Sequence, residues 1–273
     1  MPSVNVQVEP VIVADQHRGS LGIITIDNPE RRNAMTAAMY AAVPAACQEL
    51  EAIADLRAVI VRGAGQQAFC AGSDISEFRT RRLGDHAATY DQTEHLAWAA
   101  LAELPVPVVA MVYGPCRGGG IALALHADLR IAADSANFSV PPANLGIAYP
   151  AEATRRLTAL VGPGTAKRLL FTAEVLSADQ ALRHGLIDEV VAEADLEQHV
   201  RNLTYLMATK APLTLRAAKA GIDALSAQAT GDPQAGTLQQ RAEAAANACY
   251  DSADFREGID AFSDKRPPQF RGR

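Results

Sequence analysis

The chain has 273 residues, 49% of them hydrophobic and 21% charged, with a formal net charge of −6. This is globular composition with enough apolar side chains for a real core, which excludes long disorder. The acidic balance also counts against a general nucleic-acid binder. Four cysteines, Cys47, Cys70, Cys116 and Cys249, stand far apart, with no CxxC pair and no Cys/His cluster of zinc spacing. Reduced thiols of a cytoplasmic protein are therefore expected, with no metal site.

The N-terminus, MPSVNVQVEP, has no basic stretch followed by an apolar run, so no secretory signal is expected. Residues 4–13 and 21–26 are apolar or alternating, with Gly19 and Gly22 nearby, and read as a hairpin. Asp27-Asn28-Pro29 ends the second strand in a turn. The alanine-rich run 36–50 reads as a helix with Thr36 as its N-cap. Residues 58–61, 107–112 and 129–132 read as short buried strands, the first two closed by glycines. Helical stretches at 74–79, 89–104 and 118–126 separate them. Residues 101–112 are apolar, but Glu103 and two prolines interrupt them, and the run is too short to span a bilayer.

Strand and helix thus alternate to about residue 191, which predicts an α/β core over 1–194. Residues 195–273 read as a C-terminal helical segment, broken at Pro212 and around 231–233.

Two loops carry chemistry. Phe69-Cys70-Ala71-Gly72-Ser73-Asp74 runs into a helix start at which Asp74 and Glu77 fit a capping box. Gly118-Gly119-Gly120 follows a strand and opens an alanine-rich helix. Three glycines let backbone approach a ligand with no Cβ in the way, and free N–H groups at a helix start can hold a negative oxygen. The spacing is not GxGxxG, so a dinucleotide fold is disfavoured.

FCAGSDISEF together with VYGPCRGGGIALALHADLRIA resembles the enoyl-CoA hydratase/isomerase (crotonase) superfamily. DNPERRNAM, NFSVPPANLGIAYP, ADQALRHGLIDEVV and DFREGIDAFSDKRPPQF extend the resemblance over about 22–270. It implies a spiral of ββα turns followed by helices that build a trimer, and two trimers often stack into a hexamer. It also implies an acyl-CoA thioester as the substrate, with CoA as part of the substrate rather than a separate cofactor; the net charge of −6 and the short, interrupted apolar run lead us to expect no nucleic-acid or membrane partner.

By the same resemblance, the N–H groups of Ser73 and Gly119 form an oxyanion hole for the thioester carbonyl. Arg31, Arg32, Ala34, Ala71 and Ile75 are expected beside the pantetheine and adenine of CoA. Phe262 and Lys265 match positions that often touch CoA across a subunit contact.

The chain departs from a typical hydratase at both glutamate positions, which are Ala122 and Pro142 here. Neither can move a proton, and losing a general acid/base typically costs 10²–10⁴ in rate. Two-glutamate hydration is therefore not expected. Asn144-Leu145-Gly146-Ile147-Ala148-Tyr149 is similar to the corresponding segment of methylmalonyl-CoA decarboxylase, although that enzyme carries histidine where Ser73 stands and glutamate where Ala122 stands. Decarboxylation generates its own enolate and suits a site stripped of glutamates. The expected function is therefore a lyase, with hydration or isomerisation by other acid/base residues and non-catalytic acyl-CoA binding as alternatives.

Tyr149 is the leading side chain, able to orient a carboxylate or protonate an enolate, and Glu152 is a further catalytic candidate. His126 reads as a structural histidine at a helix end. His86, His95, Tyr90 and Trp98 lie in the segment expected to shape the acyl pocket.

Overall fold

The structure is a computed structural model that describes residues 1–13 and 16–273. β1 (Ser3–Val13) and β2 (Gln16–Asp27) form the expected hairpin, paired antiparallel. α1 (Ala37–Glu51) begins at Thr36, whose hydroxyl accepts from Met39 N at 3.2 Å. β3 (Leu56–Gly63), α2 (Phe78–Arg81), α3 (Ala87–Glu103) and β4 (Val108–Val112) follow, then β5 (Pro115–Arg117), α4 (Gly119–Leu125), β6 (Leu129–Ala133) and β7 (Asn137–Ser139). α5 (Ala151–Thr172), β8 (Leu176–Ser177), α6 (Ala178–Arg183) and β9 (Glu189–Val191) complete the α/β core. The chain ends in α7 (Leu196–Ala208), α8 (Pro212–Thr230), α9 (Ala235–Tyr250) and α10 (Ala253–Asp264).

Six strands make one sheet in the order β1-β2-β3-β4-β6-β9, parallel from β2 onward. β5, β7 and β8 make a second, smaller sheet. The central strands are continuous apolar runs because both faces of the sheet are covered. Successive side chains point to opposite faces. Val59 and Val61 of β3 join Val108, Ala110 and Val112 of β4 in the larger core, with α1, α3, α4 and α5. Ala58, Ile60, Val109 and Met111 face the other way, against Leu196 and Val200 of α7. Each fully buried Val, Ile or Leu here contributes about 1.5–3 kcal/mol. The first helix after residue 195 is thus part of the cover of the core sheet, while α8–α10 lie outside it.

Two local expectations are corrected. Asp74 does cap the turn after it, accepting from Ser76 N at 3.0 Å, but Glu77 does not close the box. Its carboxylate instead accepts from Ala37 N at 2.7 Å and so satisfies the exposed N-terminus of α1. α5 is not among the helices expected from the sequence, and it contains Gly162-Pro163, a pair that disfavours helix. The backbone is indeed non-helical at Gly162 (φ 74°), and helix continues on both sides of that kink.

Among the described residues no helix is long and apolar enough to cross a membrane. No group of three or more His, Cys, Asp or Glu side chains among them is placed to hold a metal ion.

Candidate active site

The two glycine loops leave the carboxyl ends of neighbouring parallel strands, 64–73 after β3 and 113–118 after β4. That placement forces them together. Phe69 N donates to Tyr113 O, Cys70 N to Pro115 O, and Arg117 N to Cys70 O at 2.9 Å. Crevices at the carboxyl ends of parallel strands are the usual place for ligands in such sheets.

The hydrogen bonding around Ser73 sets its direction. Met35 N donates to Gly72 O and Asp74 N to Met35 O, so residues 72 and 74 turn toward Met35. In a parallel ladder the intervening residue turns its own N–H the opposite way. Gly119 opens α4, whose first bond runs from Ala122 N to Gly118 O, so the Gly119 N–H precedes the intrahelical ladder. The two loops are in van der Waals contact here: a Cβ placed on Gly119 would lie 3.3 Å from Ser73 N, and one placed on Gly72 would lie 3.7 Å from Gly119 N.

Both loops line a pocket that opens to solvent. Ala71, Ile75, Pro142 and Tyr149 also line it, as do Trp98 and Glu94 of α3 and Arg82 from the link after α2. Ala122 is fully buried beneath the glycine loop, so neither 122 nor 142 brings a proton-carrying group.

Glu94 is the residue that the sequence reading missed. It is 2% exposed. It accepts from Ser73 Oγ at 2.7 Å and from Arg82 at 3.0 and 3.2 Å. Tyr40 Oη lies 3.0 Å from the same Ser73 Oγ, so Tyr40, Ser73 and Glu94 form a chain of hydrogen bonds ending at the pocket wall. Burial pushes the Glu94 carboxyl above its ordinary range, while Arg82 and the Ser73 hydrogen bond pull it back. The Tyr40 phenol is raised well above its usual value, first by burial and then by the Glu94 charge. Arg82 is itself held by stacking, its guanidinium 4.7 Å from the Tyr90 ring centre and 5.1 Å from that of Phe78.

Tyr149 lines the pocket, and its hydroxyl donates to Gly118 O at 3.1 Å. Burial raises the phenol well above its ordinary value, so it stays neutral. Glu152 is not brought to this pocket. It faces a second cavity with His95 and His126, bonded to Arg155 at 2.7 Å and Arg156 at 3.0 Å. Contacts with His126, then Arg155 and Arg156, hold its carboxyl far below the usual range. That makes it a poor proton carrier near neutral pH.

His126 is buried at the end of α4, its Nδ1 2.7 Å from Ala122 O and its ring stacked on Trp98. Burial lowers it to about 4, which keeps it neutral. Tyr90 is buried under Arg82, and His86 sits in the short turn before α3.

Of the residues expected beside CoA, Ala71 and Ile75 line the pocket mouth. Arg31 is paired with Asp74 at 2.8 Å and with Ser76. Arg32 takes a left-handed conformation (φ 51°), its carbonyl accepting from Ala71 N, and Ala34 is buried. Phe262 and Lys265 lie at the end of α10 and do not reach the pocket of their own chain. All four thiols are free, and burial pushes Cys70, beneath the first loop, up to about 12, so it is no nucleophile.

The chain is similar to known proteins along most of its length. A family model described as enoyl-CoA hydratase/isomerase matches residues 16–273. The short-chain-enoyl-CoA hydratase of Clostridium acetobutylicum is 32% identical over 251 residues, 92% of this chain and 94% of that protein. Methylmalonyl-CoA decarboxylase of Escherichia coli is 32% identical over 223 residues, 80% of this chain and 82% of that protein. A crystal structure of an enoyl-CoA hydratase/carnithine racemase from Magnetospirillum magneticum superposes with a TM-score of 0.84 at 32% identity, covering 93% of each chain.

Proposed function

The chain belongs to the enoyl-CoA hydratase/isomerase family, and from that membership we propose that it is a lyase of decarboxylase type, cleaving a carbon–carbon bond next to a CoA thioester. The carrying observation is the meeting of Ser73 and Gly119 over a pocket whose two hydratase positions are Ala122 and Pro142. In this reading the thioester carbonyl oxygen accepts from both main-chain N–H groups. The bond from the α-carbon to the substrate carboxylate breaks, CO₂ leaves, and the electron pair becomes the enolate whose oxygen the two amides hold. Each such donor contributes about 3 kcal/mol to the transition state. No base is required for that step, which fits a site without the two glutamates.

Tyr149 supports the reading in a bracing role. Its bond to Gly118 O holds the turn whose next residue is Gly119, and its position on the pocket wall suits it to orient a substrate carboxylate. Ala71 and Ile75, with the Arg31 and Arg32 segment beside them, form the side from which the CoA tail would enter. The expectation of a trimer or hexamer belongs to the same reading. It is supported by Tyr250, Phe255, Ile259 and Phe262, which stand exposed on α9 and α10 and which a second copy would cover.

One observation favours a second reading, isomerisation or hydration by another acid/base group: Glu94 is a carboxyl in the pocket wall. A panel of crotonyl-CoA, a 3-enoyl-CoA, malonyl-CoA and methylmalonyl-CoA, with products identified by mass spectrometry, separates the two. Loss of CO₂ from a malonyl-type ester as the fastest reaction is the expected result. Rapid hydration of crotonyl-CoA would overturn the lyase reading. Saturable binding of every ester with no turnover of any would reduce the protein to an acyl-CoA binder.

A further inference from the structure

We propose that the carboxyl group of Glu94 is the acid/base of this site, giving a proton to, and taking one from, the α-carbon of the bound acyl group. The proposal rests on the thioester-enolate reading above and names the group that completes it.

Glu94 is the one acidic residue lining the pocket among the described residues. Its helix face is built toward the site, since Tyr90, Glu94 and Trp98 are spaced four residues apart on α3 and all three are buried. One serine side chain and one 2.7 Å hydrogen bond separate its Oε1 from Ser73 N, the amide proposed to hold the carbonyl oxygen. The α-carbon lies one bond beyond that carbonyl carbon, and in this proposal it faces the part of the pocket wall that Glu94 lines.

The surroundings suit both protonation states. Burial favours the neutral acid and Arg82 favours the anion, and burial is the larger influence, so the carboxyl is raised above its ordinary range. The hydroxyls of Tyr40 and Ser73 can reverse their hydrogen bonds as the proton comes and goes.

The steps balance. After CO₂ has left, the enolate electron pair forms the new bond from the α-carbon to the Glu94 proton, the thioester carbonyl is restored and Glu94 becomes a carboxylate. Water returns its proton. In reverse, on an ester with no carboxylate to lose, ionised Glu94 takes the α-proton and leaves an enolate held by the two amides.

The test is hydrogen exchange. Wild-type protein is incubated with butyryl-CoA in D₂O and deuterium at the α-carbon is followed by mass spectrometry, alongside Glu94→Gln and Glu94→Asp. Glutamine keeps an acceptor for Ser73 and Arg82 but cannot take the proton. A bracing role alone would therefore be rescued by it, whereas a proton-carrying role would not. The expected result is exchange by wild type, a loss of at least ~10² in rate in E94Q, partial recovery in E94D, and butyryl-CoA affinity in E94Q within about threefold of wild type by calorimetry. Equal exchange by wild type and E94Q would overturn the proposal while leaving the enolate reading standing. No exchange by wild type, with butyryl-CoA bound, would likewise overturn the proposal, whereas the enolate reading falls only if no ester of the panel is turned over.

Discussion

Replacing Gly119 by alanine is expected to abolish most turnover while leaving the fold in place. The added Cβ would lie 2.3 Å from Tyr40 Oη, 2.8 Å from Ser73 Oγ and 3.3 Å from Ser73 N. Ser73 lines the pocket and Tyr40 is buried behind it, so one methyl group crowds the loop that carries the Ser73 amide and pushes on the hydrogen-bond chain to Glu94. Losing a single oxyanion donor costs about 10²–10³ in rate. Disturbing both donors at once sets the expectation at the upper end, on the order of 10³-fold in kcat/KM on the best ester of the panel. The two nearest atoms are side-chain hydroxyls, but Tyr40 is fully buried against Tyr90 and Trp98, so the thermal midpoint should also fall, by roughly 2–8 °C. Activity within threefold of wild type would remove Gly119 from the site.

The next residue should weigh chiefly on stability. A Cβ on Gly120 would lie 2.4 Å from Cys70 O and 2.8 Å from Cys70 Cβ. Cys70 cannot give way, because its N–H donates to Pro115 O and its carbonyl accepts from Arg117 N, the bonds that join the two loops. Forcing a methyl group into such a contact typically costs 1–3 kcal/mol and can cost more. For a chain of this size each kcal/mol lowers the melting midpoint by about 2–4 °C. G120A is thus expected to melt about 5–10 °C below wild type, or to be recovered largely insoluble. An unchanged melting curve would mean that the loops are not locked as described. The two adjacent glycines serve different ends, one leaving space for a ligand and the other letting two backbones touch.

What the residues revealed in order, and what they withheld, follows from the range of the forces involved. Thr36 and the apolar strands at 58–61 and 107–112 were legible, because a cap is a local hydrogen bond and a doubly covered strand is a continuous apolar run. The meeting of Ser73 with Gly119 was not legible from spacing. It depends on β3 and β4 being neighbours, and only the resemblance to a family supplied it in advance.

Glu94 was hidden for a related reason. In TYDQTEHLAWAA its charge sits among other polar residues and reads as a solvent-facing helix turn. Its partners, Ser73 and Arg82, arrive from other elements. Glu152 failed to join the pocket because Arg155 and Arg156, three and four residues on, claim its carboxylate on the helix surface. Phe262 and Lys265 lie at the far end of α10, where nothing within one chain carries them to the pocket.

The central claim is that two main-chain amides converge on one thioester oxygen. A structure of the protein with a bound, non-reacting acyl-CoA tests it most directly. The carbonyl oxygen is expected about 2.7–3.1 Å from both Ser73 N and Gly119 N, with the α-carbon facing Glu94. A carbonyl oxygen turned away from both nitrogens, or an acyl chain lodged beside Glu152 in the second cavity, would contradict it.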